Sequence, residues 1–169
     1  MTSPSSSTQA TQKHPSEATA KELRRYLNER IGAFHVGFVG RLATFIGDQQ
    51  IQYMSAHIQR GTQLDGIIVV FTDEYVFHQT SRTAERGGVE LEVSVARRGS
   101  LLQLTSSGHE NVRRDPFGGQ NIEWPWPMPV KLVYKDLPSF NLPLSLELWG
   151  DDADGLRDLL PSLLRDLSA

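Results

Sequence analysis

The chain has 169 residues, with 17 basic and 20 acidic side chains, a formal net charge of −3 and no cysteine. That length can bury one core without covalent staples. The absence of cysteine excludes disulfides, thiolate catalysis and cysteine-ligated metal centres and points to a cytoplasmic setting, while the acidic balance leaves no electrostatic footprint for nucleic acid.

Residues 1–18, within MTSPSSSTQATQKHPSEATA, read as a disordered polar tail, because Ser, Thr, Gln and Pro bury too little surface to offset the entropy of ordering. The tail lacks the apolar stretch of a secretory signal. No apolar run anywhere approaches the ~20 residues of a membrane span. Residues 19–47 form an N-terminal helical segment in which Leu23, Leu27, Ile31, Phe34, Phe38, Leu42 and Phe45 recur at steps of three and four. Its first half, Ala20 to Ile31, is an amphipathic helix. The second half is ambiguous. Gly32, Gly37 and Gly40 would each cost up to about 1 kcal/mol in a helix, and a hairpin turning at Gly47-Asp48 fits as well.

After Gln50 the period becomes two. Met54, Ala56 and Ile58 alternate with Tyr53, Ser55 and His57. Then GIIVVFTDEYVFHQT, Gly66 to Thr80, reads as two strands reversed by the polar loop Thr72-Asp73-Glu74. Val89, Leu91, Val93 and Val95 form one inner face with Glu90, Glu92 and Ser94 outside. Leu102 and Leu104 follow a turn at Arg98-Gly99, Val130 to Tyr134 make a sixth strand, and Leu144, Leu146 and Leu148 mark a seventh. Such alternation indicates antiparallel, half-buried sheet. Thirteen of the basic residues are arginines, and the pairs Arg24/Arg25, Arg97/Arg98 and Arg113/Arg114 read as solvated faces. The closing segment, DDADGLRDLLPSLLRDLSA, carries Leu156, Leu159, Leu160, Leu163, Leu164 and Leu167 on one helical stripe, with Asp151, Asp152 and Asp154 suited to the N-terminal cap. Pro161 predicts a kink or break.

Seven alternating strands followed by an amphipathic helix, together with the Thr-Asp turn before "YVF", resemble bacterial pleckstrin-homology-like (PH-like) domains over Ile51 to Leu167. The resemblance implies an α+β, mostly β fold: a seven-stranded antiparallel PH-like barrel or strongly bent sheet over residues 48–169, with an N-terminal helix and a C-terminal capping helix. Phosphoinositide-binding members concentrate lysine and arginine on the first two strands and the loop between them. Here HIQRGTQLDGII offers Arg60 and contains Asp65, so phosphoinositide binding is not expected.

No nucleophile elbow, Walker loop or dinucleotide fingerprint is present. The spacing of His14, His35, His57, His78 and His109 demands no metal site. The expectation is therefore no catalytic residue, no cofactor and no metal. The most unusual segment is Ser106 to Pro129, where Pro125, Pro127 and Pro129 extend the backbone and present Trp124, Trp126 and Met128. With Phe117, Arg113 and Arg114 these form the expected partner-binding set, an aromatic anchor with a polar rim. Alternatively one or both tryptophans close an open end of the barrel. Three functions fit. One is a noncatalytic binding or scaffolding module that recognises a protein or peptide through a sheet edge or the Trp-Pro loop. The second is a small apolar-ligand carrier of lipocalin-like or helix-grip type, and the third a hydrolase or isomerase using a His/Glu pair.

Overall fold

The computed structural model describes residues 15–31, 37–59, 65–106, 129–145 and 151–168. Among them the chain forms α1 (Pro15–Ile31), α2 (Gly37–Ile46), β1 (Tyr53–Ile58), β2 (Gly66–Phe71), β3 (Tyr75–Thr83), β4 (Val89–Arg97), β5 (Leu101–Ser106), β6 (Val130–Tyr134), β7 (Phe140–Leu142) and α3 (Asp151–Asp166). Helix α1 begins at Pro15, so residues 15–18, assigned to the tail by composition, supply its first turn. No helix among the described residues is long and apolar enough to cross a membrane.

Of the segment that glycine content left ambiguous, Gly37–Ile46 is helix, while residues 32–36 lie outside the described residues. Val39, Leu42, Ala43 and Ile46 share one face of α2 at i, i+3, i+4 and i+7, and all four are buried. That burial outweighs the propensity cost of Gly40, which lies on the exposed side with no side chain near it. Gly47 ends the helix in the left-handed region at φ 65°, donating its N–H to the Ala43 carbonyl at 2.9 Å. The phase differs from the predicted stripe, because Phe45 is 53% exposed.

All strand pairs are antiparallel, and they make two sheets, β1-β2-β3-β4 and β5-β6-β7. A closed barrel is not formed: β4 and β5 are consecutive in the chain yet belong to different sheets, separated by a short 3-10 turn at Arg98–Ser100. The four-stranded sheet is the middle layer. Met54, Ala56, Ile68, Val70, Phe77 and Leu91 on one face pack against Leu23 and Leu27 of α1 and the buried stripe of α2. Tyr53, Val69, Phe71, Val76 and Ala96 on the other pack against Leu132, Tyr134, Phe140 and Leu142 of the smaller sheet and Leu156, Leu159 and Leu163 of α3. Strand β2 is thus covered on both sides, which explains why GIIVVF carries no polar alternation.

Four expectations are corrected. On β5 it is Leu101 that is buried, while Leu102, expected to face inward, is 63% exposed beside a register shift between Leu101 and Gln103. The seventh strand among the described residues is Phe140–Leu142, paired with Val130–Leu132, and Leu144, the described start of the expected one, joins no ladder. Pro143 has no N–H to continue a ladder, and the Leu144 N–H is donated to Ser55 Oγ at 2.9 Å; Leu146 and Leu148 lie outside the described residues. Helix α3 runs through Pro161 without a break. Pro161 is exposed, so solvent can reach the carbonyl it leaves without a donor. The leucine stripe of α3 is also narrower than predicted, because Leu164 is 56% and Leu167 38% exposed.

Two contacts fix α3 beside β1. Gly155 lets the helix approach closely, since a Cβ there would lie 3.1 Å from the Tyr53 ring. The buried Asp152 carboxylate accepts the Tyr26 hydroxyl at 3.0 and 3.2 Å, so it links α3 to α1 as well as sitting in the first turn. Helices on opposite faces of the larger sheet therefore meet around its β1 side.

Leu163→Ala should cost about 2–5 kcal/mol in urea unfolding, as for a fully buried leucine, whereas Leu164→Ala should change stability by less than about 0.5 kcal/mol. Equal effects would contradict this orientation of α3.

Candidate functional site

Arg98 departs most from its sequence reading. Arg97 is exposed as expected, but Arg98 is 6% exposed. Its Nε and Nη2 reach the Asp166 carboxylate at 2.8 and 2.7 Å, Nη1 donates to the Thr72 carbonyl at 3.1 Å, and Nη2 also donates to Ser162 Oγ at 2.5 Å. Its backbone N–H is donated to the Glu74 carbonyl at 2.8 Å. The guanidinium thus joins the β2–β3 turn to α3. The turn itself is built from polar contacts: Thr72 donates its hydroxyl to Gln49 and accepts the Tyr75 N–H, and Asp73 accepts the Gln52 amide. Periodicity could not reveal Arg98, because its partners Ser162 and Asp166 are spaced as one helical face far along the chain.

An open pocket of about 320 Å³ lies beside this clamp, lined by Gln52, Asp73, Arg98, Ser162, Arg165 and Asp166 among others. Four of the five guanidinium hydrogens of Arg98 are engaged by protein acceptors, leaving one for a ligand. The pocket is therefore mainly structural. Behind it the buried Tyr134 hydroxyl has no hydrogen-bond partner among the described residues, and burial, then the nearby Asp166 carboxylate, push its pKa above the usual phenol range against the opposing effect of Arg98.

His57 is exposed, in keeping with a surface role, but His78 is only 4% exposed. It sits between the two sheets with its ring 5.6 Å from that of Phe140. Burial lowers its pKa below the ordinary 6.5, with Glu92 acting in the opposite direction. His14, His35 and His109 lie outside the described residues, and among the described residues no group of three His, Asp or Glu side chains could hold a metal ion.

The remaining unusual surface is the outer edge of β4. In the β3–β4 hairpin, Ala84 donates its N–H to the Gly88 carbonyl at 3.2 Å and accepts the Gly87 N–H at 3.0 Å, with Gly87 and Gly88 at φ 82° and 97°. Ala84 and Gly88 are therefore the first hydrogen-bonded pair. Alternation along the register makes Arg82↔Glu90, Thr80↔Glu92, His78↔Ser94 and Val76↔Ala96 the further ones. The N–H and C=O groups of Val89, Leu91, Val93, Val95 and Arg97 consequently point away from β3. Two of them are occupied: Arg41 of α2 donates Nη1 to the Leu91 carbonyl at 2.6 Å, and Ser100 donates its hydroxyl to the Arg97 carbonyl at 2.7 Å. No described backbone segment pairs with this edge.

The side chains beside the edge differ between its two faces. Val89, Leu91 and Val93 are half-buried on the face towards α1 and α2, and Val95 is 37% exposed there instead of packed inward as predicted. Glu90 and Glu92 stand exposed on the other face. The predicted partner-binding residues Trp124, Trp126, Met128, Phe117, Arg113 and Arg114 all lie outside the described residues, so the sheet edge is the part of the expected binding surface whose geometry is described. No protein-family model, curated protein or solved structure matches the chain.

Arg98→Met should destabilise the fold by about 3–5 kcal/mol, since it strands the Asp166 carboxylate, and Arg98→Met/Asp166→Leu should recover much of that loss in a double-mutant cycle. For His78, the folded pKa lies below the unfolded one, so the neutral ring's contribution is complete above pH ~6.5 and is lost as pH falls from there towards the lowered value. Urea midpoints measured from pH 7.5 to 5 should decline accordingly, and His78→Gln should flatten that part of the profile.

Proposed function

We propose that the chain is a noncatalytic binding module of PH-like architecture that takes an extended segment of a protein partner along β4. The architecture is supported by the order of elements, in which a four-stranded and a three-stranded antiparallel sheet are followed by a packed helix. The binding mode rests on one observation, the row of outward backbone donors and acceptors on a nine-residue strand. At ~3.4 Å per residue that row extends about 27 Å, enough for several main-chain hydrogen bonds to an added strand. The opposite edge offers less, because α1 and α3 meet around β1 through Tyr26 and Asp152. Arg41 and Ser100 limit the β4 edge at two carbonyls without closing it, as polar side chains do on other natural edge strands.

Val95→Pro tests this reading. The Val95 N–H points outward, so proline removes no ladder bond to β3 and the variant should remain folded. Peptides selected for binding to the full chain should slow amide exchange at Val93 and Val95, bind Val95→Thr normally, and bind Val95→Pro at least tenfold more weakly. Failure to select any peptide, or equal binding to Val95→Pro, would overturn the edge-binding function.

A further inference from the structure

We infer that the segment taken up by β4 is an extended strand in which lysine or arginine alternates with large apolar residues. The inference rests on the edge-binding function and adds the chemistry of the partner. A residue paired opposite a β4 position points to the same face of the sheet as that position. Positions opposite Glu90 and Glu92 would therefore meet two exposed carboxylates, neither of which has a basic side chain within ion-pair distance among the described residues. Arg82 lies one strand inward, opposite Glu90, whereas Glu92 is opposite Thr80 and is the less compensated of the two.

Positions opposite Leu91, Val93 and Val95 would point to the other face, towards α2. There the incoming side chains meet half-buried or exposed aliphatic groups. Arg41 reaches the Leu91 carbonyl from that helix, and Phe45, one turn on along the same helical face, is 53% exposed. A basic residue on this face would face the Arg41 guanidinium. The two faces therefore ask for opposite chemistry in strict alternation, which fixes the parity of the bound strand.

A second copy of the chain satisfies these demands poorly. Antiparallel self-pairing of β4 centred on positions 91, 92 or 93 sets a carboxylate of Glu90 or Glu92 opposite or diagonal to a carboxylate of the other copy. Like charges so placed destabilise a strand pair.

The test uses three acetylated, amidated nine-residue peptides in which valine alternates with lysine, serine or glutamate, titrated against the full chain. The lysine peptide should bind at least tenfold more tightly than the serine peptide at low salt, and the glutamate peptide more weakly than either. The lysine advantage should shrink in 0.5 M sodium chloride, as for an attraction between solvent-exposed charges, which salt screens. It should also disappear in Glu90→Gln/Glu92→Gln, which should still bind the serine peptide. Equal binding of the lysine and serine peptides, lost in Val95→Pro, would preserve the edge function and overturn the basic partner. A lysine preference that survives the double glutamine variant would also overturn it, by showing attraction to the chain's overall negative charge. Binding of every peptide equally well to Val95→Pro would overturn both. Self-association of the unaltered chain in sedimentation, abolished by Val95→Pro, would assign the edge to a second copy and overturn the partner proposed.

Discussion

The two sheets and the C-terminal helix converge on the guanidinium of Arg98. A buried charge is tolerated only where its hydrogen bonds are met, and here the acceptors come from the β2–β3 turn and from α3. Arg98 also opens the short turn between β4 and β5, so the residue that takes the chain out of one sheet is held by the helix packed against both. If the clamp were absent, α3 would still have Leu156, Leu159 and Leu163 to bury. It would lack the directional contacts that set its position against the turn. Apolar burial supplies attraction without direction, and the clamp supplies direction.

What the sequence revealed follows from which forces leave periodic traces. The strands β1 to β6 were legible because Met54, Ala56 and Ile58, or Val89, Leu91 and Val93, repeat at the spacing of one sheet face, although the face was misread at Leu102, and α1 and α3 were legible from leucines at helical spacing. The continuous run of β2 was legible as a strand, and its unbroken apolarity now has a cause in burial from both sides. The Phe140–Leu142 strand was missed because the apolar alternation is clearer from Leu144 on, although Pro143 and the Ser55 hydroxyl divert the backbone at Leu144. Phe45 and Leu164 matched helical spacing yet face outward, since a stripe wider than the covered surface leaves its margin exposed.

The candidate site was less legible for a different reason. A free edge is a property of the whole sheet, since whether β4 is central or peripheral depends on where β5 goes. Nothing in VELEVSVAR states that its neighbour will leave the sheet. The buried state of His78 was hidden in the same way, because it depends on Phe140 in a different sheet. The Trp-Pro segment drew attention by composition alone. Alternating glutamates, by contrast, looked like an ordinary wet face, and they gain significance only once the backbone beside them is known to be unpaired.

The position of α3 in chain order has a consequence for biosynthesis. Strands β1 to β7 leave the ribosome before the helix that covers them, so a nascent chain carries Tyr134, Leu132 and Leu142 without their lid and Arg98 without its carboxylate. Early pairing of either sheet would then display an apolar face to neighbouring chains, the condition in which partly folded species aggregate. The residues that complete the clamp arrive together with those that cover the core, because Leu159, Ser162, Leu163 and Asp166 are consecutive turns of one helix. Charge satisfaction and apolar coverage thereby become a single event in the assembly of the molecule.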